Sequence, residues 1–228
     1  MSRILNVVRL QLINRQTFIW VPLIILGGAL LVSIAIYAMI PVDEPKYGGG
    51  SQAPLWYFFG IGIGALSYTF PFSQALSITR RDFFLGTMLT AAAASALLAV
   101  IFIVGGAIEL ATNGWGINGY FFHLPWVWEA GPLGAGFTYF VVALLFFVIG
   151  FTATTVFKTW GMTVLTIVWV SLAVLMVGVA FLITRLELWA RVWAGVVELG
   201  AVGLAGWMLV ATVVMIVISF FVIRRAKP

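Results

Sequence analysis

Residues 79–110 read TRRDFFLGTMLTAAAASALLAVIFIVGGAIEL. After Asp82 no charged residue appears until Glu109. An apolar run of that length exceeds the roughly 20 residues a helix needs to cross a bilayer. Its start is also marked. Thr79 and Asp82 form an [ST]-x-x-[DE] pair, in which the hydroxyl caps a helix N-terminus. The carboxylate of Asp82 then falls in the first turn, where the helix dipole favours it. A short helix is therefore expected to begin here, with Arg80 and Arg81 beside Phe83 and Phe84. Cations next to exposed aromatics suit a docking knob, because Arg and aromatic side chains supply much of the energy of protein interfaces.

The rest of the chain repeats the apolar theme. Comparable runs occupy residues 18–40, 55–76, 137–157, 161–183 and 199–223, giving six spans with 83–110 as the third. The third is longer than a bilayer requires, so part of it is expected to lie outside. Of 228 residues, 63% are hydrophobic and 8% are charged, against about 45–50% and about 25% in soluble domains. No water-soluble core hides that much apolar surface. Disorder is excluded by 10 Trp, 6 Tyr and 19 Phe. The fold class is thus an all-α integral membrane protein with six transmembrane helices. The first run is too long for a signal peptide and ends in Tyr37-Ala38-Met39-Ile40-Pro41 without a cleavage site, so it reads as a retained span.

Charge sets the orientation. With the N-terminus inside, the inner segments hold Arg3, Arg9, Arg15, Arg80, Arg81, Lys158, Arg224, Arg225 and Lys227, with Asp82 as the lone acid. The outer segments hold Lys46, Arg185 and Arg191 with Asp43, Glu44, Glu109, Glu129, Glu187 and Glu198. Nine inner basic residues to three outer ones place both termini in the cytoplasm. The net charge of +5 is then a topological signal and does not point to nucleic acid. Zero cysteines and a single histidine, His123, exclude Cys-based metal sites and an H-E-x-x-H motif, so no metal or cofactor site is expected in the chain. No acid lies at mid-span, whereas ion-driven transporters usually hold an ionisable group deep in the membrane.

The connecting segments carry further patterns. Residues 1–17 place Ile4, Leu5, Val8 and Leu12 on one side and Arg3, Asn6, Arg9 and Asn14 on the other, which predicts a basic amphipathic helix on the inner surface. Residues 41–54 contain Gly48-Gly49-Gly50-Ser51 and read as a flexible linker; a phosphate loop needs a Gly-Lys pair, and this sequence has none. Residues 111–136 hold Trp115, Tyr120, Phe121, Phe122, Trp126 and Trp128, which predicts an interfacial lid or short re-entrant piece. His123 and Glu129 are the candidate polar pair there, with surface anchoring the preferred role. In residues 184–198, Glu187, Arg191 and Glu198 form one narrow stripe, and Leu186, Leu188, Trp189, Val192 and Trp193 cover most of the remainder. An amphipathic helix at the outer interface follows, with Glu187 and Arg191 as an i,i+4 pair. The last span then becomes a helical hairpin. Gly60-x-Gly62-x-Gly64 and the small face at 91–96 would let helices approach closely.

Taken together, the segment Phe72-Ser73-Gln74-Ala75-Leu76-Ser77-Ile78-Thr79-Arg80-Arg81-Asp82-Phe83-Phe84-Leu85-Gly86-Thr87 and the order of elements around it resemble permease subunits of ABC-2 type (type V) ABC exporters. The resemblance implies residues 1–17 as a connecting helix, 18–223 as the six-helix transmembrane domain and 224–228 as a basic cytoplasmic tail. It implies that Thr79, Arg80, Arg81, Asp82, Phe83 and Phe84 couple to an ABC ATPase subunit. It further implies a second permease subunit, forming a homodimer in a bacterial inner membrane. The missing Gly-Lys pair puts ATP and Mg on the partner chain, so this subunit is expected not to be an enzyme itself. The outer helix with Glu187, Trp189, Arg191 and Trp193 corresponds to the amphipathic element before the sixth span. The few polar groups within spans, such as Ser67, Thr69, Ser73, Gln74, Thr152, Thr154 and Thr155, favour a hydrophobic or amphiphilic cargo. The alternative is a membrane substrate-binding or structural subunit without its own transport cycle. A lipid-modifying enzyme would need clustered acids, His or Ser at the interface, and the acids here are scattered.

Overall fold

The computed structural model describes residues 3–13 and 16–224. The tail residues 225–228 and Arg15 lie outside the described residues, so the predicted basic tail is represented by Arg224 alone. A first helix, α1 (Arg3–Ile13), precedes six helical stretches long and apolar enough to cross a membrane: Gln16–Met39, Gly49–Ala75, Arg80–Ala111, Gly131–Trp160, Met162–Arg185 and Trp189–Ile223. The first contains a π-helical turn (Gln16–Trp20) and α2 (Val21–Met39). The second runs through α3 (Ala53–Gly64), a π-helical turn (Ala65–Thr69) and α4 (Phe70–Ala75). The others are α5 (Arg80–Ala111), α7 (Gly131–Trp160), α8 (Met162–Arg185) and α9 (Trp189–Ile223), with the short α6 (Pro125–Trp128) before α7. A multi-pass membrane protein follows from these six helices. At 1.5 Å per residue α5 is about 48 Å long, well beyond a hydrocarbon core of about 30 Å.

The bundle is built around α7, which packs on α3, α5 and α9. Between membrane helices there is no hydrophobic drive, so close contact depends on small residues. Gly62 of α3 and Gly150 of α7 supply it. A Cβ on Gly62 would come 2.9 Å from the Phe151 nitrogen, and one on Gly150 would come 3.1 Å from the Phe59 carbonyl carbon. The flanking pair Gly60 and Gly64 does not take part: Gly60 has nothing within 4 Å, and Gly64 meets only the Tyr68 ring at 3.7 Å. Ser95, from the small face of α5, is buried inside the chain.

At one end of the bundle the connections are ordered. β1 (Lys46–Tyr47) pairs in parallel with β2 (Gly119–Tyr120). Tyr47 stacks on Tyr120 with ring centroids 5.6 Å apart. Lys46 Nζ donates to the Ile117 carbonyl at 3.2 Å, and Asn118 Nδ2 donates to the Asp43 carbonyl at 2.9 Å. The glycine run that reads as a flexible linker is instead a packed element. A Cβ on Gly50 would stand 2.9 Å from the Phe121 ring, so the glycine is what lets the ring close in.

α8 stands apart. None of its residues is buried, and its principal neighbour is α7. α9 is broken at Gly200, whose φ of 60° and ψ of −175° lie outside the helical region.

Candidate functional site

The corner between the second and third spans has two well-defined halves. α4 ends with Ser77 in the left-handed region, φ 56°. The Ser77 nitrogen donates to the Gln74 carbonyl at 3.0 Å and the Ile78 nitrogen to the Ser73 carbonyl at 3.1 Å. This pair of bonds is a Schellman stop, which usually employs glycine at the left-handed position. Thr79 then adopts extended backbone (ψ 148°), and its hydroxyl accepts from the Asp82 nitrogen at 3.1 Å. The expected cap is therefore formed. The Thr79 hydroxyl also donates to Asp82 Oδ2 at 2.7 Å.

The helix that follows is not a separate short one. Arg80 begins α5, which continues unbroken to Ala111. The expectation that Phe83 and Phe84 are exposed is overturned. Their exposures are 0% and 2%. Phe83 packs on Phe70 at 5.2 Å, and Phe84 packs on Phe151 and Phe220 at 5.8 and 5.3 Å. Both are core residues in this chain and cannot serve as a docking face. The exposed apolar side chains of the corner are Phe72 and Leu76. Sequence reading missed them because the apolar runs on both sides of the corner do not show which side faces inward.

The two arginines also differ. Arg80 is half-buried and its guanidinium donates to the Ile223 carbonyl at 3.3 Å and to the Arg224 carbonyl. It satisfies carbonyls left unpaired at the C-terminus of α9, where a cation also suits the helix dipole. Arg224 in turn lies over the Phe220 ring at 4.8 Å. Arg81, by contrast, is exposed. Lys158 is half-buried near the end of α7, just before the turn at Gly161.

α1 lies against the first turns of α5. Val7 and Gln11 are buried, while Leu5 and Leu12 are exposed. A Cβ on Gly86 would reach 2.6 Å from Val7 Cβ, so this glycine admits the helix. Gln11 Nε2 donates to Thr87 Oγ1 at 2.6 Å. The polar Gln11 made this face unreadable as a packing face from sequence.

At the opposite end, Glu109 is the organising residue. It is 0% exposed. Oε1 accepts from Trp115 Nε1 and from the Phe121 nitrogen, both at 2.9 Å. Oε2 accepts from the Phe122 and His123 nitrogens, both at 2.8 Å. One carboxylate thus holds four donors from a loop of nine residues, Trp115 to His123. Tyr139 and Trp128 complete the cap by donating to the Phe122 carbonyl at 2.6 and 3.2 Å. The expected interfacial lid is a packed cap, with Phe121, Phe122 and Trp128 buried.

The candidate pair His123 and Glu129 is not brought together as a site. The His123 ring sits against Tyr120 and Trp128, at 5.8 and 5.1 Å, and its Nδ1 is buried without a partner. Burial lowers its pKa from the ordinary value, outweighing the raising effect of Glu109. Glu129 is exposed and lines a separate cleft with Trp126, Glu198 and Gly200. Among the described residues no group of three or more acids and histidines is arranged to hold a metal.

Glu187, Trp189, Arg191 and Trp193 lie around the junction of α8 and α9, and all four are exposed. Glu187 occupies the left-handed position of a second Schellman stop (φ 53°), with Glu187 N to Thr184 O at 3.2 Å and Leu188 N to Ile183 O at 2.9 Å. It therefore precedes the helix, and the expected i,i+4 relation to Arg191 does not apply. Trp189 Nε1 donates to Thr184 Oγ1 at 3.0 Å and closes the turn.

Comparison of the chain with protein-family models, with curated proteins and with solved structures finds no match.

Proposed function

We propose that the chain is the membrane-spanning permease subunit of an ABC exporter of the ABC-2, or type V, kind. In this reading both termini are cytoplasmic, by the nine-to-three distribution of basic residues. The membrane is a bacterial inner membrane. A separate ABC ATPase binds ATP and Mg beneath the corner at Thr79, and a second permease subunit completes a homodimer. The segment with Trp189, Arg191 and Trp193 lies along the outer interface.

The observation that carries the reading is the hydrogen bonding of the inner corner. A Schellman stop at Ser77 and a Thr79 cap meet with Ile78 alone between them. Thr79, Arg81 and the apolar Phe72 and Leu76 are exposed there. Arg80 ties the same corner to the end of α9, and α1 rests on Gly86 and Thr87 just behind it. A force on the corner would reach the third span, the sixth span and the N-terminal helix together. The residues assigned to contact are thus Thr79, Arg81 and Asp82 with Phe72 and Leu76. Arg80 acts as a brace, and Phe83 and Phe84 anchor the corner from the core.

The test is co-purification from native membranes in mild detergent. A soluble chain bearing G-x-x-x-x-G-K-[ST] should accompany the wild type and be lost in Arg81→Glu. Its absence from the wild type would leave the binding-subunit or structural reading in front.

A further inference from the structure

His123 sits where the cap is held together. Its backbone nitrogen is one of the four donors on Glu109, and its ring lies against Tyr120 and Trp128. Trp128 is fixed in turn by its bond to the Phe122 carbonyl. The residue is half-buried, and Nδ1 is shielded from water with no hydrogen-bond partner. The cap also forms one wall of a cavity of about 200 Å³. Leu124 and Val127 meet there with Phe102 of α5, Tyr139 of α7 and Ala205 of α9.

A neutral imidazole carries hydrogen on one nitrogen, so Nδ1 can stay bare in this site; an imidazolium carries hydrogen on both. Protonation therefore puts an N–H at Nδ1 where no acceptor stands. A buried donor left unpaired is costly, and more so when charged. The titratable neighbours do not remove that cost. Tyr37, Tyr120 and Tyr139 are bonded or stacked within the cap. Lys46 is turned to the Ile117 carbonyl, and Glu129 and Glu198 line the separate cleft. Glu109 is the group whose charge favours the imidazolium. A carboxylate offers about four lone-pair sites, and the four cap donors already occupy those of Glu109. The charged ring must displace one of these donors or turn out to water, away from Tyr120 and Trp128. Either course undoes the cap.

We propose that the cap is a pH-operated lid on this cavity with the His123 ring as its trigger: the neutral ring keeps the lid shut, and its protonation opens it. The released ring titrates at its ordinary value of 6.5 and the enclosed ring below it, so opening is favoured as pH falls below 6.5. Imidazole is the side chain that ordinarily changes charge between pH 5 and 8. The lid is independent of any ATPase partner.

The experiment is amide hydrogen exchange of the full-length protein in lipid nanodiscs at pH 7 and pH 5, corrected for the intrinsic pH dependence of exchange. Hydroxyl-radical footprinting of Tyr139, buried at the cavity wall, accompanies it. Exchange across residues 115–123 should rise roughly 3- to 25-fold at pH 5, the range that one titrating imidazole supplies. Modification of Tyr139 should rise with it, and exchange across residues 79–87 at the corner end should not change. His123→Gln and His123→Phe cannot titrate, and each should make the cap indifferent to the pH step. No rise across 115–123 in the wild type would overturn the proposal. So would an equal rise across 79–87, which is unfolding of the whole chain. A rise surviving in His123→Gln would also overturn it and assign the titration to Glu109. A rise with Tyr139 still unmodified would show the cap loosening without uncovering the cavity, which contradicts the lid.

Discussion

The two ends of the bundle are fastened in different ways. At the end bearing the cap, one buried carboxylate, Glu109, gathers four N–H donors. At the corner end, the fastening is spread over a Schellman stop, the Thr79 cap and the Arg80 brace, all close to the surface. The first arrangement is concentrated, and breaking it should damage the fold. The second is distributed, and single changes there should leave the fold intact while altering what the corner can touch.

The largest effect should come from Glu109→Gln. It replaces one acceptor oxygen by a donor NH2 facing two N–H groups. Stranding buried donors and losing charge-assisted bonds should cost about 2–5 kcal/mol. Thermal unfolding in detergent measures it, and a change below about 1 kcal/mol would show that the cap does not depend on the carboxylate. Thr79→Ala removes the cap of α5 and should cost about 1 kcal/mol. A loss as large as that of Glu109→Gln would erase the contrast between the ends.

A gain is expected at the α8–α9 junction. Glu187 sits at φ 53°, a conformation glycine adopts without strain, so Glu187→Gly should stabilise by about 0.5–1 kcal/mol. A destabilised variant would mean that the Glu187 side chain makes a contact that matters. The smallest effect concerns pH. The folded-state pKa of His123 is lowered, so the unfolded chain binds more protons below the ordinary value of 6.5. Stability from this residue is present above that pH and declines as pH falls. His123→Phe should flatten the slope of melting temperature between pH 7 and 5, and an unchanged slope would place the titration elsewhere.

The six spans were legible because each is an uninterrupted apolar run, and the Thr79–Asp82 cap because its residue types are specific. The inward face of α5 was not legible. A helix apolar on all sides gives no periodic signal, and Phe83 and Phe84 read equally well as lipid-facing, exposed or buried. The contact of α1 with α5 was not legible either, because its packing face carries the polar Gln11 while the apolar Leu5 and Leu12 are exposed. The role of Glu109 had one available signal, a lone acid at the end of a long apolar run, which is costly unless it is paired. Its partners are mostly backbone nitrogens, which no side-chain pattern reveals.

Capture of the ATPase by purified wild type, Arg81→Glu and Arg191→Glu protein tests the central proposal most directly. Arg81 and Arg191 are both exposed, at the corner and beside the α8–α9 junction. The coupling reading predicts at least tenfold less ATPase, about 1.4 kcal/mol, with Arg81→Glu. It predicts full recovery with Arg191→Glu and equal thermal stability in all three. Equal ATPase recovery from both variants would contradict it.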